Sequence, residues 1–297
     1  MPTPATLRKR QELQNFINRL LVPEPCVQAV VAIGSIALGT ARPDSDIDAL
    51  VFMDPLDLFA VPAESVWRPE DHTFHSIFAP GFDDDACIQL DFQRLDLAQW
   101  ADPTYVWPEP RCADLAQGWI AYDREGLVSM LIAKRTCYDD TIRQTKLDEA
   151  ITWLDQALAE GKPERCWETL GRLVAMDRLQ AAYDQLVAAL FALNRTWRPW
   201  RNREMSALLG LEWLPSRAEE RLLQALNAPS LDRAGYDARV QIMRALTAEI
   251  IEQLVARGDY GDDPTSEAFV RGHDEPGRAW NMAQWSERHQ AQRANHD

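Results

Sequence analysis

The residues best suited to chemistry are two aspartates, Asp46 and Asp48, which alternate with apolar residues where a strand is predicted to begin. In a strand, side chains two positions apart lie on the same face, so both carboxylates point to one side while Ile47 and Ala49 point to the other. Two like charges held this close repel each other unless a cation lies between them. Carboxylate oxygens suit Mg²⁺, which usually completes its ligand shell with water and substrate phosphates. The pair therefore predicts a site for a metal-bound nucleoside triphosphate.

A glycine-serine pair and a third aspartate complete this constellation. Gly34-Ser35 follows a predicted strand, and a tight turn there would present backbone N–H groups and a hydroxyl to phosphate oxygens. It is not a Walker A loop, since no Gly-Lys-Ser/Thr follows the second glycine. Asp91 lies in an alternating stretch typical of a neighbouring strand. We expect Asp46, Asp48 and Asp91 to form a two-metal site for in-line nucleotidyl transfer.

These features follow one another in a fixed order along the first third of the chain. They are Gly34-Ser35, Gly39, Asp46-Ile47-Asp48 and Asp91. The order resembles the signature of the nucleotidyltransferase fold of the DNA polymerase β superfamily, which implies nucleotide transfer from a triphosphate with pyrophosphate release. By this resemblance the three aspartates correspond to metal ligands, and Gly34 and Ser35 to the phosphate-binding turn. The rest of the chain resembles, in general layout, the helical partner domain of nucleotidyltransferases that modify aminoglycosides or lincosamides.

An ordinary turn that enters an exposed strand is the alternative interpretation of the Asp-Ile-Asp segment, because Asp and Ser are common turn residues. That interpretation leaves Gly34-Ser35 and Asp91 unexplained. For Asp91 alone, a solvated position on an alternating strand is the alternative to a metal ligand.

Composition describes an acidic globular chain of 297 residues, long enough for two domains. The formal charge, 31 minus 46 or −15, argues against a polynucleotide substrate, because nucleic-acid binders carry a basic footprint. It suits a cationic small acceptor. Five scattered cysteines without a Cys-x-x-Cys pair favour reduced thiols. Since no signal-peptide or membrane-span pattern occurs, we expect a cytoplasmic protein that does not bind a membrane.

Periodicity predicts an α+β domain over residues 1–135, a mixed sheet flanked by helices. The predicted elements are a helix at 6–21, strands at 27–33, 47–52, 72–78, 86–93 and 119–123, and a helix from 127. We expect the strand at 72–78 to return antiparallel to the strand of Asp91 through a turn at 80–85. That pairing would bring Asp91 beside the aspartate pair.

Beyond this domain the strand signal ends, and helical stripes predict an up-and-down bundle over residues 136–258. The predicted helices are 139–160, 163–194, 203–210, 216–227 and 235–257. A polar C-terminal tail, 259–297, is expected either to wrap the body or to be partly disordered.

Asp177 is a candidate general base in this bundle, because it lies among apolar residues of a predicted helix. Burial there would raise its pKa and suit it to accept a hydroxyl proton. An ion pair with Arg172 or Arg178 is the alternative interpretation.

The segment 194–203 places four arginines and two tryptophans in an acidic protein. Guanidinium groups match phosphate oxygens, so Arg195 and Arg198 are the candidates for binding the triphosphate. The alternative is an exposed interhelical loop that its tryptophans anchor in the core.

The sequence therefore predicts a Mg²⁺-dependent nucleotidyltransferase that moves a nucleoside monophosphate, AMP from ATP in the commonest case, to a hydroxyl of a small molecule. An antibiotic is the leading acceptor class. The rival is a protein adenylyltransferase, an antitoxin-like regulator that modifies a partner protein, but such enzymes often consist of little more than the catalytic domain. A third interpretation, nucleotide binding without turnover, is disfavoured by the three carboxylates.

Overall fold

The computed structural model describes residues 1–70, 72–78, 87–227 and 230–272. The chain divides into two compact units, Met1–Cys137 and Tyr138–Asp297. Strands occur in the described part of the first unit, whereas the described part of the second is helical.

One mixed sheet is built from six strands in the described part of the first unit. They are β1 (Val27–Ala32), β2 (Ile47–Met53), β3 (Glu64–Arg68), β4 (Thr73–His75), β5 (Ile88–Asp96) and β6 (Trp119–Asp123). Their order across the sheet is β4-β3-β5-β2-β1-β6. Strands β2 and β5 run parallel, and the other neighbours are antiparallel. The mixed sheet with flanking helices, followed by a helical region, confirms the predicted fold class.

The N-terminal helix covers one face of this sheet. The helices of the unit are α1 (Pro4–Phe16), which a π-helical turn (Ile17–Leu21) extends, α2 (Gly34–Leu38), α3 (Leu97–Ala101), α4 (Glu109–Ala116) and α5 (Leu127–Arg135). Leu13 and Phe16 of α1 share a buried cluster with Ile47 and Ala49 of β2. Because neighbouring residues of a strand point to opposite faces, Asp48 lies on the face turned away from this cluster, as the alternation predicts.

Asp91 reaches the aspartate pair by a different route from the predicted one. The antiparallel pairing of the strand near residue 75 with the strand of Asp91 is wrong, because β4 pairs with β3, and β3 pairs with β5. Strand β3 was missed because prolines interrupt the sequence around it. The expected turn at 80–85 lies outside the described residues. The parallel pairing of β5 with β2 brings Asp91 into place instead.

Seven helices form the described part of the second unit. They are α6 (Asp140–Leu158), α7 (Lys162–Leu170), α8 (Arg172–Leu193), α9 (Arg201–Leu209), α10 (Ala218–Leu226), α11 (Arg233–Ala256) and α12 (Pro264–Gly272). The single helix predicted over 163–194 is wrong, because the chain leaves helical geometry at Gly171, whose φ is +86° and ψ is 167°. Glycine adopts such a positive φ without a steric penalty. Within the described ranges, none of the helices combines the length and the apolarity needed to cross a lipid bilayer.

The first part of the predicted polar tail packs against α6. The guanidinium of Arg143 on α6 donates hydrogen bonds of 2.6 and 2.5 Å to the carboxylate of Asp259. The hydroxyl of Tyr260 donates one of 2.7 Å to the buried carboxylate of Asp148. Arg271 of α12 binds the same carboxylate. These contacts fasten residues 259–271 to the bundle, and residues 273–297 lie outside the described part of the chain.

Candidate active site

Three carboxylates from two neighbouring strands converge at one edge of the sheet. Asp48 on β2 stands directly opposite Asp91 on β5 in the parallel register, and Asp46 immediately precedes β2. Each of the three residues contributes a carboxylate oxygen, and these oxygens lie within 4.8 Å of one another. The predicted convergence of Asp46, Asp48 and Asp91 is therefore confirmed.

Two further polar residues stand beside Asp91. The side-chain amide of Gln89 donates hydrogen bonds of 3.1 and 3.2 Å to the two carboxylate oxygens of Asp91. Glu64 on β3 stands opposite Asp91 in the antiparallel register, which places its side chain on the same face. Gln89 was missed although its spacing of two from Asp91 signals a shared face. Glu64 gave no signal, because β3 was not predicted.

The Gly34-Ser35 turn lies next to these carboxylates. The backbone N–H of Ile33 donates a hydrogen bond of 3.0 Å to the backbone oxygen of Asp48. This bond holds the residue before α2 against the strand that carries Asp48. Gly34 has a φ of +64°, which favours glycine. Ser35 follows it in the first turn of α2, where backbone N–H groups have no partner within their own helix.

Helix α1 contacts the backbone of the segment that joins the turn to the aspartates. The Arg10 guanidinium donates hydrogen bonds of 2.8 Å to the backbone oxygens of both Ile36 and Ala37. The hydroxyl of Thr3 donates one of 2.7 Å to the backbone oxygen of Ala41, and the N–H of Ala41 donates one of 3.0 Å to Thr6. The sequence pattern of this helix does not signal these polar contacts, because they depend on the tertiary position of the loop.

Lys9 on the same helix is buried beside this loop. Its Nζ donates a hydrogen bond of 2.5 Å to the backbone oxygen of Ser45. Burial and the nearby Arg8 lower the pKa of Lys9, whereas Asp46 and Asp44 act in the opposite direction.

The donor set of the carboxylate cluster fits a hard divalent cation. It consists of carboxylate oxygens alone, and all three residues are exposed or half-buried, so they remain accessible from solvent. Mg²⁺ binds through a small number of carboxylates together with water and phosphate oxygens. Asp46, Asp48 and Asp91 are thus the residues that could hold Mg²⁺.

Comparison with known proteins identifies the first unit. Residues 10–74 match the family model of the nucleotidyltransferase domain. The chain carries a nucleotidyltransferase domain of the DNA polymerase β superfamily. It is therefore a transferase. The match contains Gly34-Ser35 and the pair Asp46 and Asp48, and Asp91 follows it in the chain.

Other comparisons are more distant. Among solved structures, a nucleotidyltransferase-like protein from Exiguobacterium sibiricum aligns with 91% of this chain and 81% of its own, with a TM-score of 0.44 and 11% sequence identity. No curated protein matches the chain.

Outside the nucleotidyltransferase domain, the predicted environment of Asp177 is wrong. Asp177 lies on the exposed side of α8, and the neighbouring Leu173 is itself 84% exposed. The apolar residues around Asp177 in the sequence do not cover it, because this side of α8 is exposed in the part of the chain that the structure describes. The burial on which its role as general base was predicted is therefore absent.

The two arginines predicted to bind phosphate lie in the second unit, in ion pairs. The Arg198 guanidinium binds the carboxylates of Asp184 on α8 and Glu204 on α9. Its side chain is 19% exposed, and that of Glu204 only 2%. The Arg195 side chain is 48% exposed and pairs with Asp140. Arg198 thus joins two helices, whereas Arg195 is accessible from solvent.

Proposed function

We propose that the protein transfers AMP from ATP to a hydroxyl group of a small molecule, with release of pyrophosphate. The observation that supports it is the convergence of Asp46, Asp48 and Asp91 within 4.8 Å in a nucleotidyltransferase domain. When Mg²⁺ is bound by these carboxylates, it supplies Lewis-acid stabilisation of the charge on the transferring phosphate. Gly34 and Ser35 would contact the phosphate oxygens from the start of α2.

The charge of the chain supports a cationic acceptor. A formal charge of −15 attracts cations over a distance set by the ionic strength. Small molecules that carry both amino and hydroxyl groups, among them antibiotics of the aminoglycoside class, combine the required charge with the required nucleophile. We propose them as the leading acceptor class.

Label transfer tests the proposal. Protein, Mg²⁺ and each of the four α-labelled nucleoside triphosphates are incubated with aminoglycosides, with lincosamides or with a protein extract, and Asp48→Asn protein is the control. We expect label from ATP on a small molecule, and none with the variant. Label on a protein would instead support the rival, a protein adenylyltransferase. Absence of label in every reaction would contradict both.

Arg195 is our candidate for a phosphate contact, in preference to Arg198. Arg195→Met is expected to raise the KM for the nucleotide about tenfold, the loss typical of one charge-assisted hydrogen bond of about 1.5 kcal/mol. The matched control is Asp140→Asn, which removes the partner of Arg195 and leaves its guanidinium in place. An unchanged KM in Arg195→Met would contradict this role.

A further inference from the structure

Asp46 differs from its two companions in how its backbone is held. Asp48 and Asp91 lie within paired strands, and hydrogen bonds to neighbouring strands fix their positions. Asp46 precedes β2 and follows the turn that Arg42 and Ser45 close. Its place in the cluster therefore depends on what holds this turn.

Lys9 binds this turn directly. Its ammonium reaches the backbone oxygen of Ser45, the residue before Asp46, at 2.5 Å. The lysine is only 2% exposed, so water does not replace Ser45 as the hydrogen-bond partner of its ammonium group. Transfer of an ammonium group from water into a protein is costly, and an apolar side chain of the same length would fill the space without that cost. Packing alone therefore does not account for a lysine here.

The other polar contacts of α1 hold the same segment further upstream. Thr3 and Thr6 bind the backbone of Ala41, and Arg10 binds the backbone oxygens of α2. Among these polar residues, Lys9 is the one whose contact, at Ser45, lies next to a carboxylate of the cluster. The N-terminal helix thus holds both the Gly34-Ser35 segment and the turn that precedes Asp46.

We propose that Lys9 is a positioning residue, which holds the backbone oxygen of Ser45 and thereby places the Asp46 carboxylate for cation binding. The inference rests on the proposed function of the cluster. It concerns the backbone of the turn, and Lys9 itself does not touch substrate or metal.

Charge and position predict opposite effects when Lys9 is replaced. Removal of a positive charge near three carboxylates lessens electrostatic repulsion of a cation, so charge alone would tighten metal binding. Loss of the support for Asp46 would weaken it. The direction of the change in metal affinity therefore distinguishes a positioning role from a purely electrostatic one.

The experiment measures Mn²⁺ binding to the purified protein by electron paramagnetic resonance of the free ion, without nucleotide. Lys9→Met is expected to raise the Kd for Mn²⁺ about tenfold, within the range for loss of a group that orients a metal ligand. The control is Arg8→Met, which removes the adjacent exposed charge and should leave the Kd within about twofold. Hydrogen exchange of the peptide that spans 41–46 should be faster in Lys9→Met alone.

An unchanged or lower Kd in Lys9→Met would overturn the inference, and wild-type protein that binds no Mn²⁺ would overturn the proposed function as well. Circular dichroism checks the fold of each variant. If Lys9→Met does not fold, Lys9→Leu, which likewise lacks an N–H donor for the Ser45 oxygen, is used under the same criteria.

Discussion

Two charged clusters of this protein differ in composition: one gathers three carboxylates, and the other pairs carboxylates with an arginine. In the nucleotidyltransferase domain, Asp46, Asp48 and Asp91 bring three carboxylate oxygens within 4.8 Å of one another. In the second unit, Arg198 binds two carboxylates, those of Asp184 and Glu204. Like charges repel at these distances, so the first arrangement costs free energy that a bound cation would recover. In the second arrangement the carboxylates are already paired with an arginine.

The comparison separates binding sites from structural ion pairs. Both clusters follow from conspicuous sequence segments, one rich in aspartate and one rich in arginine. In the arginine-rich segment, tertiary contacts supply carboxylates from two helices, and Arg198 joins those helices. In the aspartate segment they supply one more carboxylate, Asp91. A cluster of like charges is therefore the better indication of a ligand site.

The largest expected effect comes from the carboxylate cluster of Asp46, Asp48 and Asp91. Asp46→Asn or Asp48→Asn should lower kcat for nucleotidyl transfer by about 10³-fold or more, because each removes a ligand of the cation that stabilises transition-state charge. The melting temperature should stay the same or rise, since one of three repelling charges is lost. Enzyme kinetics and thermal unfolding measure the two quantities.

Asp44→Asn is the matched control for this prediction. Asp44 lies on the same turn but is exposed and pairs with Arg42 on the surface. It should retain transfer within about twofold, because exposed ion pairs contribute little. Full activity of Asp46→Asn would show that the cluster is not the metal site.

Substitutions in the cluster around Arg198 should lower the free energy of unfolding. Arg198→Met removes the more buried of the two arginines that bind the Glu204 carboxylate, which is 2% exposed, so we expect a loss of about 3 kcal/mol in the free energy of unfolding. Arg201 binds the same carboxylate from a side chain that is 63% exposed, and Arg201→Met should cost no more than about 1 kcal/mol. Urea unfolding measures both. A stable Arg198→Met protein with a raised nucleotide KM would instead support phosphate binding by Arg198.

A smaller effect is expected on the free energy of unfolding at acidic pH. The hydrogen bond from Arg198 holds the pKa of Asp184 below its ordinary value of 3.8. A carboxyl group with a lowered folded-state pKa stabilises the fold at pH values above its unfolded pKa, and this contribution is lost as the pH falls through the folded pKa. We therefore expect the unfolding free energy of the wild type to fall below about pH 4, where the unfolded chain takes up protons first.

Arg198→Met removes the cause of this shift, so its unfolding free energy should depend less on pH in that range. Arg201→Met removes a smaller contribution to the same shift, so its pH dependence should stay closer to that of the wild type. Equal pH dependence in wild type and Arg198→Met would show that the Asp184 pair does not contribute to acid unfolding.

Local patterns were enough to predict most elements of the fold. Alternation predicted β1, β2, β5 and β6, and apolar stripes predicted α1, α6 and α11, because a strand or helix that buries one face must repeat its apolar residues with the period of its geometry. Strand β3 was missed, since nearby prolines obscure its alternation. The break at Gly171 was missed as well, because an isolated glycine is compatible with either a helix or its end.

The sequence by itself determined that Asp46 and Asp48 share a face, since the two-residue period of a strand fixes this without any partner. It also determined the glycine-serine turn before them, because those residue types follow an apolar strand. Only the tertiary structure decided that Asp91 joins them, through the parallel register of β5 on β2. It alone decided that Lys9 supports the turn and that Arg198 is paired. Such contacts join residues distant in sequence, and their partners depend on packing, which local periodicity does not encode.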